Sequence, residues 1–143
     1  MLLTLGAVVV AGCGGAASRS ATRSTVARGP ASGAPAGRAP TPASEVTALL
    51  AHIPQKGNAL GNPRAPVTLQ YFGDLQCPYC KRFTLGALTT LIDDYVRQGK
   101  LEVEYRSLRT ATHNPSIFQI QQVAALAAGS QNKLWDFVEL FYR

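Results

Sequence analysis

Cys77-Pro78-Tyr79-Cys80 stands where two different periodicities meet, and that junction restricts the possible folds of this 143-residue chain more than any other feature. Upstream, Val67-Thr68-Leu69-Gln70-Tyr71-Phe72 is rich in β-branched and aromatic residues and reads as a strand, broken by Gly73-Asp74. Downstream, Phe83, Ala87, Leu88, Leu91, Ile92 and Tyr95 recur at three- and four-residue steps. That spacing predicts a helix from Pro78 to about Gln98 with one buried stripe, closed by Gly99. Pro78 suits the first turn, where its missing N–H has no intrahelical partner to lose. Leu101, Val103 and Tyr105 then alternate with Glu102, Glu104 and Arg106, the period of a second strand. Strand, helix and strand in close succession form a βαβ unit, with parallel strands and a right-handed crossover.

After the second strand the period changes. Ile117, Ile120, Val123, Ala124 and Ala127 predict a helix that starts near Asn114-Pro115 and Ser116 and breaks at Gly129-Ser130. Leu134, Trp135, Val138, Phe141 and Tyr142 predict another, with Trp135 and Phe141 in the core, still in progress at Arg143. Two strands make a marginal sheet by themselves, so the chain is expected to be a fragment or a truncated product of a longer α/β fold.

The formal charge of +6 suggests nucleic acid until it is located. Arg19, Arg23, Arg28, Arg38, Lys56 and Arg64 face Glu45 alone in residues 1–65, a balance of +5. Residues 66–143 are nearly neutral, so no basic folded face is implied and no nucleic-acid partner is expected. From position 14 to about 44 the chain is mostly Ala, Gly, Ser, Thr, Pro and Arg, with Val26 as the lone large aliphatic. Such a segment buries too little apolar surface to offset the entropy of ordering it, and residues 13–56 are read as a disordered tether. Leu2 to Val10 is apolar but too short to cross a bilayer core of about 30 Å. Val10-Ala11-Gly12-Cys13 follows it and resembles a bacterial lipobox, although no Lys or Arg precedes the apolar run. The resemblance implies a signal peptide over 1–12, lipidation at Cys13, and a domain over 57–143 held on the outer face of the cell membrane.

The three cysteines divide into the isolated Cys13 and the pair at 77 and 80. A thiol titrates near pH 8.5 when free, and its thiolate is the nucleophile. Cys77 is placed beside the unsatisfied N–H groups of a helix start, at the positive end of the dipole, with Lys81 and Arg82 adding charge nearby. Each effect favours the Cys77 thiolate. Cys80, one turn deeper, is placed to resolve a mixed disulfide. Stabilising the thiolate favours the reduced protein and makes the disulfide form oxidising; Pro78 and Tyr79 set the potential and the contact surface. Asp74, three residues before Cys77, is read chiefly as a turn residue that accepts backbone hydrogen bonds near the site. A structural zinc takes four ligands, whereas only His113 follows the pair and no second CxxC exists, so neither metal nor cofactor is expected. His113 itself is read as a loop or cap residue. A metal-holding or catalytically silent module remains the alternative, as does a reductase of the same fold.

Leu60-Gly61-Asn62-Pro63-Arg64-Ala65-Pro66-Val67-Thr68-Leu69, followed by Phe72-x-Asp74-x-x-Cys77-Pro78-Tyr79-Cys80, resembles the DsbA-like branch of the thioredoxin superfamily over residues 57–143. The resemblance implies a thioredoxin-like βαβ unit with the start of a helical insertion after it. It also implies that the C-terminal half of the fold, including a cis-proline and a closing β-hairpin, lies beyond position 143. The implied role is extracytoplasmic disulfide exchange with protein thiols, with reoxidation by an integral-membrane partner of the DsbB or vitamin-K-epoxide-reductase type. One departure stands out: the family's buried acid, six residues before the first motif cysteine, is Tyr71 here, so Cys80 needs water or another group to manage its proton.

Overall fold

The computed structural model describes residues 39–143; the leader at 1–12, Cys13 and the tether as far as residue 38 lie outside the described residues. Helix α1 (Pro42–Leu50) opens on a reciprocal cap. Ser44 N–H donates to Thr41 Oγ1 at 3.2 Å, Thr41 N–H donates to Ser44 Oγ at 2.9 Å, and Pro42 fills the first position. Val46 and Leu50 lie one turn apart and are buried. The tether expected to reach residue 56 is thus corrected at its C-terminal end. Ala, Pro and Ser dominate the composition there, and they hide a capped helix with two core aliphatics. Arg97 fastens the helix end, its guanidinium donating to the carbonyls of Ala51 (2.9 Å) and Leu49.

Strands β1 (Gln55–Lys56) and β2 (Ala59–Leu60) form an antiparallel hairpin. Its turn uses Gly57 at φ +60°, a conformation that costs glycine nothing. Strand β3 (Val67–Gly73) is followed by the long helix α2, over 78–96, and then by β4 (Leu101–Ser107). β3 and β4 pair in parallel from Val67↔Leu101 to Gly73↔Ser107, and the sheet order is β1-β2-β4-β3. The βαβ unit stands as expected, but the sheet has four strands and not two. The additional pair is two residues per strand, too short for alternation to register in the sequence.

Helix α2 is not uniformly α. Pro78–Phe83 and Thr89–Leu91 are α-helical, whereas Thr84–Leu88 and Ile92–Val96 are π-helical. In an α-helix a step of four overshoots one turn; in the wider π turn it falls short. Alternating the two keeps Thr84, Leu88, Ile92 and Val96 in line, and these four are the buried residues. Of the stripe expected from α-helical spacing, Leu88 and Ile92 are buried and Phe83 and Leu91 half-buried, whereas Ala87 and Tyr95 face solvent. Gly99 ends the segment at φ +69°.

Helix α3 (Pro115–Ser130) starts on Asn114, whose Oδ1 accepts the N–H groups of Ser116 and Ile117. The helix stands where the spacing placed it, but the apolar residues that mark it do not form its inner face: Ile117, Ile120 and Val123 are exposed, together with Leu126, while Ala125 and Gly129 are the buried positions. Small residues face inward because the backbones approach closely; a Cβ on Gly129 would stand 3.3 Å from the Gly57 carbonyl oxygen. Helix α4 (Leu134–Tyr142) buries Leu134, Trp135, Val138 and Tyr142 as expected, but leaves Phe141 exposed. It packs against α1, α3 and the first π turn of α2. At the centre of the core, Tyr71, Tyr105 and Trp135 meet with ring centroids 5.5–6.3 Å apart. Among the described residues no helix is long and apolar enough to cross a membrane.

Candidate active site at the start of the long helix

β3 ends at Gly73, and a tight turn delivers the chain to α2. Asp74 makes that turn: its Oδ1 accepts the Gln76 N–H at 3.0 Å and its carbonyl accepts the Cys77 N–H at 2.9 Å. Cys77 is left at the N-cap in extended conformation (φ −79°, ψ 118°), with Pro78 at the first helical position. Both cysteines are free thiols and both are half-buried.

The two thiols are displaced in opposite directions. The Cys80 N–H lowers the Cys77 pKa, opposed by partial burial and helped by the Cys80 thiol, the Tyr79 N–H and the Thr110 hydroxyl. No full capping bond closes onto Cys77 in the thiol form. Burial pushes the Cys80 thiol up, and the neighbouring Cys77 adds to that, while the Asp74 N–H and the Tyr71 hydroxyl oppose it. One sulfur is thereby prepared to ionise and the other to stay protonated until it is needed.

Tyr71, six residues before Cys77, lies under the second cysteine. Its hydroxyl donates to the Cys80 carbonyl at 3.3 Å and meets Thr84 Oγ1 at 3.1 Å, deep in the core. Burial drives the Tyr71 phenol far above its ordinary value, so it serves as a neutral donor. Tyr142 Oη donates to the Asp74 carbonyl at 2.9 Å, and Tyr105 Oη to the Gly73 carbonyl at 3.2 Å. The turn between β3 and α2 is therefore held from below by two phenols.

Asp74 does more than the turn expected of it. Its side chain is 1% exposed, and Oδ2 accepts the N–H groups of Thr110, Ala111 and Thr112 at 2.8–2.9 Å. The Thr112 hydroxyl donates to Oδ1. Burial alone would raise its carboxyl pKa, but the donors from Thr112, Ala111 and Gln76 outweigh it and hold the group well below the usual carboxylate range. Thr110 and Thr112 had no signal in the sequence; they come from a segment without regular structure more than thirty residues downstream.

Lys81 and Arg82 project into solvent. Arg82 stacks over the exposed Tyr79 ring, 4.7 Å from its centroid, and neither cation is among the leading influences on Cys77. The positive field expected from them is supplied by backbone N–H groups. Instead the two line an open groove with Pro78, Tyr79 and Leu85 beside the first cysteine. His113 is exposed in the downstream loop, where its carbonyl accepts from Arg109. No group of three or more His, Cys, Asp or Glu is gathered among the described residues.

Residues 54–143 match the family model described as Thioredoxin. Among curated proteins, disulfide bond formation protein D of Bacillus subtilis is 30% identical over 88 residues, covering 58% of this chain and 37% of that protein. A probable disulfide bond formation protein D of Bacillus anthracis is 27% identical over 90 residues, covering 59% and 39%. A Na(+)/H(+) antiporter NhaA 1 of Mycolicibacterium gilvum is 34% identical over 92 residues, covering 62% of this chain and 14% of that protein. The chain thus spans well under half the length of the curated relatives it matches. Oxidised BdbD from Bacillus subtilis superposes with a TM-score of 0.54 at 23% identity, over 63% of this chain and half of that one, a likeness that speaks for the fold. With its βαβ unit, its helical continuation and a CPYC turn opening the helix, the chain belongs to the thioredoxin family and is a DsbA-like member of that superfamily.

Proposed function

We propose that the chain exchanges disulfides with protein thiols through Cys77 and Cys80, acting as an oxidant outside the cytoplasm. The observation that carries this reading is the placement of two free, half-buried thiols at one helix start, Cys77 at the N-cap ahead of Pro78 and Cys80 one turn in, with the first displaced toward ionisation and the second away from it. In the oxidising direction a substrate thiolate attacks Cys77 Sγ, forming a mixed disulfide as the Cys77–Cys80 bond breaks. The leaving Cys80 thiolate takes up a proton. A second substrate thiolate then attacks the first substrate sulfur, the one bonded to Cys77, forming the substrate disulfide and expelling Cys77 as the stabilised thiolate. The substrate loses two electrons and two protons, and the dithiol is returned to the disulfide by an electron-accepting partner, which we place in the membrane. The names of the Bacillus relatives support this reading.

The groove of Pro78, Tyr79, Lys81, Arg82 and Leu85 suits the substrate segment flanking the attacked sulfur. For the leader, we propose lipidation at Cys13 and display on the outer membrane face. Its test is incorporation of a labelled fatty acid that Cys13→Ser abolishes; labelling of the variant would exclude it.

Alkylation of the reduced protein with iodoacetamide across pH tests the chemistry. Cys77 is expected to react with a midpoint well below the ordinary thiol value near 8.5, and Cys80 to stay unreactive. Equal reactivity of both at the ordinary midpoint would refute exchange chemistry. Equilibration with glutathione then sets the direction. A potential above thioredoxin's, about −270 mV, is expected of an oxidant, and one at or below it makes the protein a reductase.

A further inference from the structure

A turn at the end of β3 needs one side-chain bond, the one from Gln76 N–H to Asp74 Oδ1. Asp74 accepts far more. Its carboxylate collects five donors: the N–H groups of Gln76, Thr110, Ala111 and Thr112, and the Thr112 hydroxyl. Its carbonyl holds Cys77 N–H and Tyr142 Oη, each at 2.9 Å, and its own N–H opposes the upward displacement of the Cys80 thiol. A carboxylate that is 1% exposed is costly to bury, and charge-assisted donors on both oxygens offset that cost. The arrangement joins both cysteines to a remote segment through one residue.

That segment has no other strong fastening. Between β4 and α3 the chain is irregular, and its remaining ties are Leu108 N–H to the Gly73 carbonyl at 3.0 Å and weak contacts from Arg109 and Thr112 at 3.5 Å. Three successive N–H groups, those of residues 110–112, converge on one oxygen, so the backbone of Thr110 has a single placement while Asp74 is ionised. Asp74 thereby bonds the Thr110 N–H through its carboxylate and the Cys77 N–H through its carbonyl, which brings Thr110 to the first cysteine, where its hydroxyl lowers the Cys77 pKa. Outside the tetrapeptide, the ionisable groups around the pair are Asp74 and the phenols of Tyr71, Tyr105 and Tyr142; the phenols are held neutral by burial. Among the leading influences on the Cys77 thiol, Thr110 is the side chain from outside the motif.

We propose that Asp74 is a positioning residue of the redox centre, whose carboxylate fixes residues 110–112 so that the Thr110 hydroxyl donates to the Cys77 thiolate. The inference rests on reading Cys77 as the exchange nucleophile. It assigns the tuning of the first cysteine to a loop remote in sequence, and it makes that loop's register a determinant of reactivity.

The test compares the pH midpoint of Cys77 alkylation in the full chain with those of Thr110→Val, Thr110→Ser and Asp74→Asn. Thr110→Val is expected to raise the midpoint by about one pH unit, the worth of one hydrogen bond to a charged group, and to make the disulfide less oxidising toward glutathione. Thr110→Ser keeps the donor and is expected to stay within a few tenths of the wild type. Asp74→Asn should raise the midpoint as Thr110→Val does, and Thr110→Val should add nothing in that background. If Asp74→Asn does not fold, the two Thr110 variants decide. An unchanged midpoint in Thr110→Val, or equal shifts in Thr110→Val and Thr110→Ser, overturns the proposal. So does an Asp74→Asn protein that melts earlier with its midpoint unmoved. Failure of the exchange reading is distinct from all of these: the wild-type midpoint itself would then lie at the ordinary thiol value.

Discussion

Removing the Tyr71 hydroxyl probes what a buried phenol contributes beneath the second cysteine. Tyr71 Oη and Thr84 Oγ1 are 3.1 Å apart, and Thr84 is wholly buried with no other side-chain partner for its hydroxyl in the native arrangement. Tyr71→Phe deletes the contacts to the Cys80 carbonyl and to Thr84 and orphans a buried hydroxyl, for a loss of about 2 kcal/mol. For a domain of roughly a hundred residues that corresponds to a fall in Tm of about 10 °C. Thr84→Val in the same chain removes the orphan. The Cys80 carbonyl keeps a partner, since it also accepts the Thr84 N–H, so Tyr71→Phe/Thr84→Val should lie within about 1 kcal/mol of wild type. Urea unfolding of the four reduced proteins measures the cycle, with an expected coupling of about 1–2 kcal/mol. Tyr71→Phe should also slow the release of a trapped mixed disulfide, because the Tyr71 hydroxyl opposes the upward displacement of Cys80. If Tyr71→Phe costs the same with and without Thr84→Val, the hydroxyls are not paired. If release is unaffected, Tyr71 takes no part in handling Cys80.

Three further outcomes follow from burial and charge. Asp74 titrates lower in the folded chain than in the unfolded one, so its stabilisation is present above the unfolded carboxyl pKa and is lost as pH falls through the folded value. Asp74→Asn should therefore be less stable than wild type at pH 7, with the gap narrowing below about pH 4; a constant gap would count against the assignment. Glu139 has the reverse sign. It is fully buried, only its Oε2 is paired, with Arg143 at 2.7 Å, and burial raises its pKa despite that partner. The folded state holds the Glu139 proton more tightly, so this contribution is present below the unfolded pKa and disappears as pH rises through the folded one. Denaturant unfolding at pH 4 and pH 7 should show Glu139→Gln gaining on wild type as pH rises, and parallel curves would refute it. Finally, a Cβ on Gly73 would stand 2.6 Å from the Tyr105 ring, which is buried and tethered by its own hydroxyl to the Gly73 carbonyl. Gly73→Ala should cost about 1–3 kcal/mol, and an unchanged melting curve would show that the ring can move aside.

The βαβ unit was legible because its three signals are local: β-branched alternation in β3 and β4, and an apolar stripe between them. Cys77 and Cys80 were legible for the same reason, since the chemistry needs only their spacing and a helix start. Where the reading failed, at Ala87, Tyr95 and Phe141, the helix was correct and the face it buries was not. Along α3 the apolar residues do repeat at helical spacing, yet Ile120, Val123 and Leu126 are 69%, 60% and 62% exposed. A stripe in the sequence says that a helix has an apolar face, not which element covers it. Here the inward face is chosen by the close approach of Gly129 to Gly57, a contact between residues 72 positions apart that small side chains permit and that no hydrophobicity pattern announces.

The site divides along the same line. A sequence reading weighs charges near a cysteine by their distance along the chain, which gives Lys81 and Arg82 prominence. In the fold both point to water, where the high dielectric weakens them, and Arg82 is occupied by the Tyr79 ring. Backbone N–H groups at the helix start and a hydroxyl from residue 110 act instead at short range in a less polar setting. Asp74 connects the two descriptions. Its place three residues before Cys77 marks it as a turn residue, and the turn it makes is real, but four of its five carboxylate bonds go to Thr110, Ala111 and Thr112. A buried carboxylate cannot be sustained by one N–H; the surplus donors had to come from somewhere, and their source is the segment that the fold carries to Cys77.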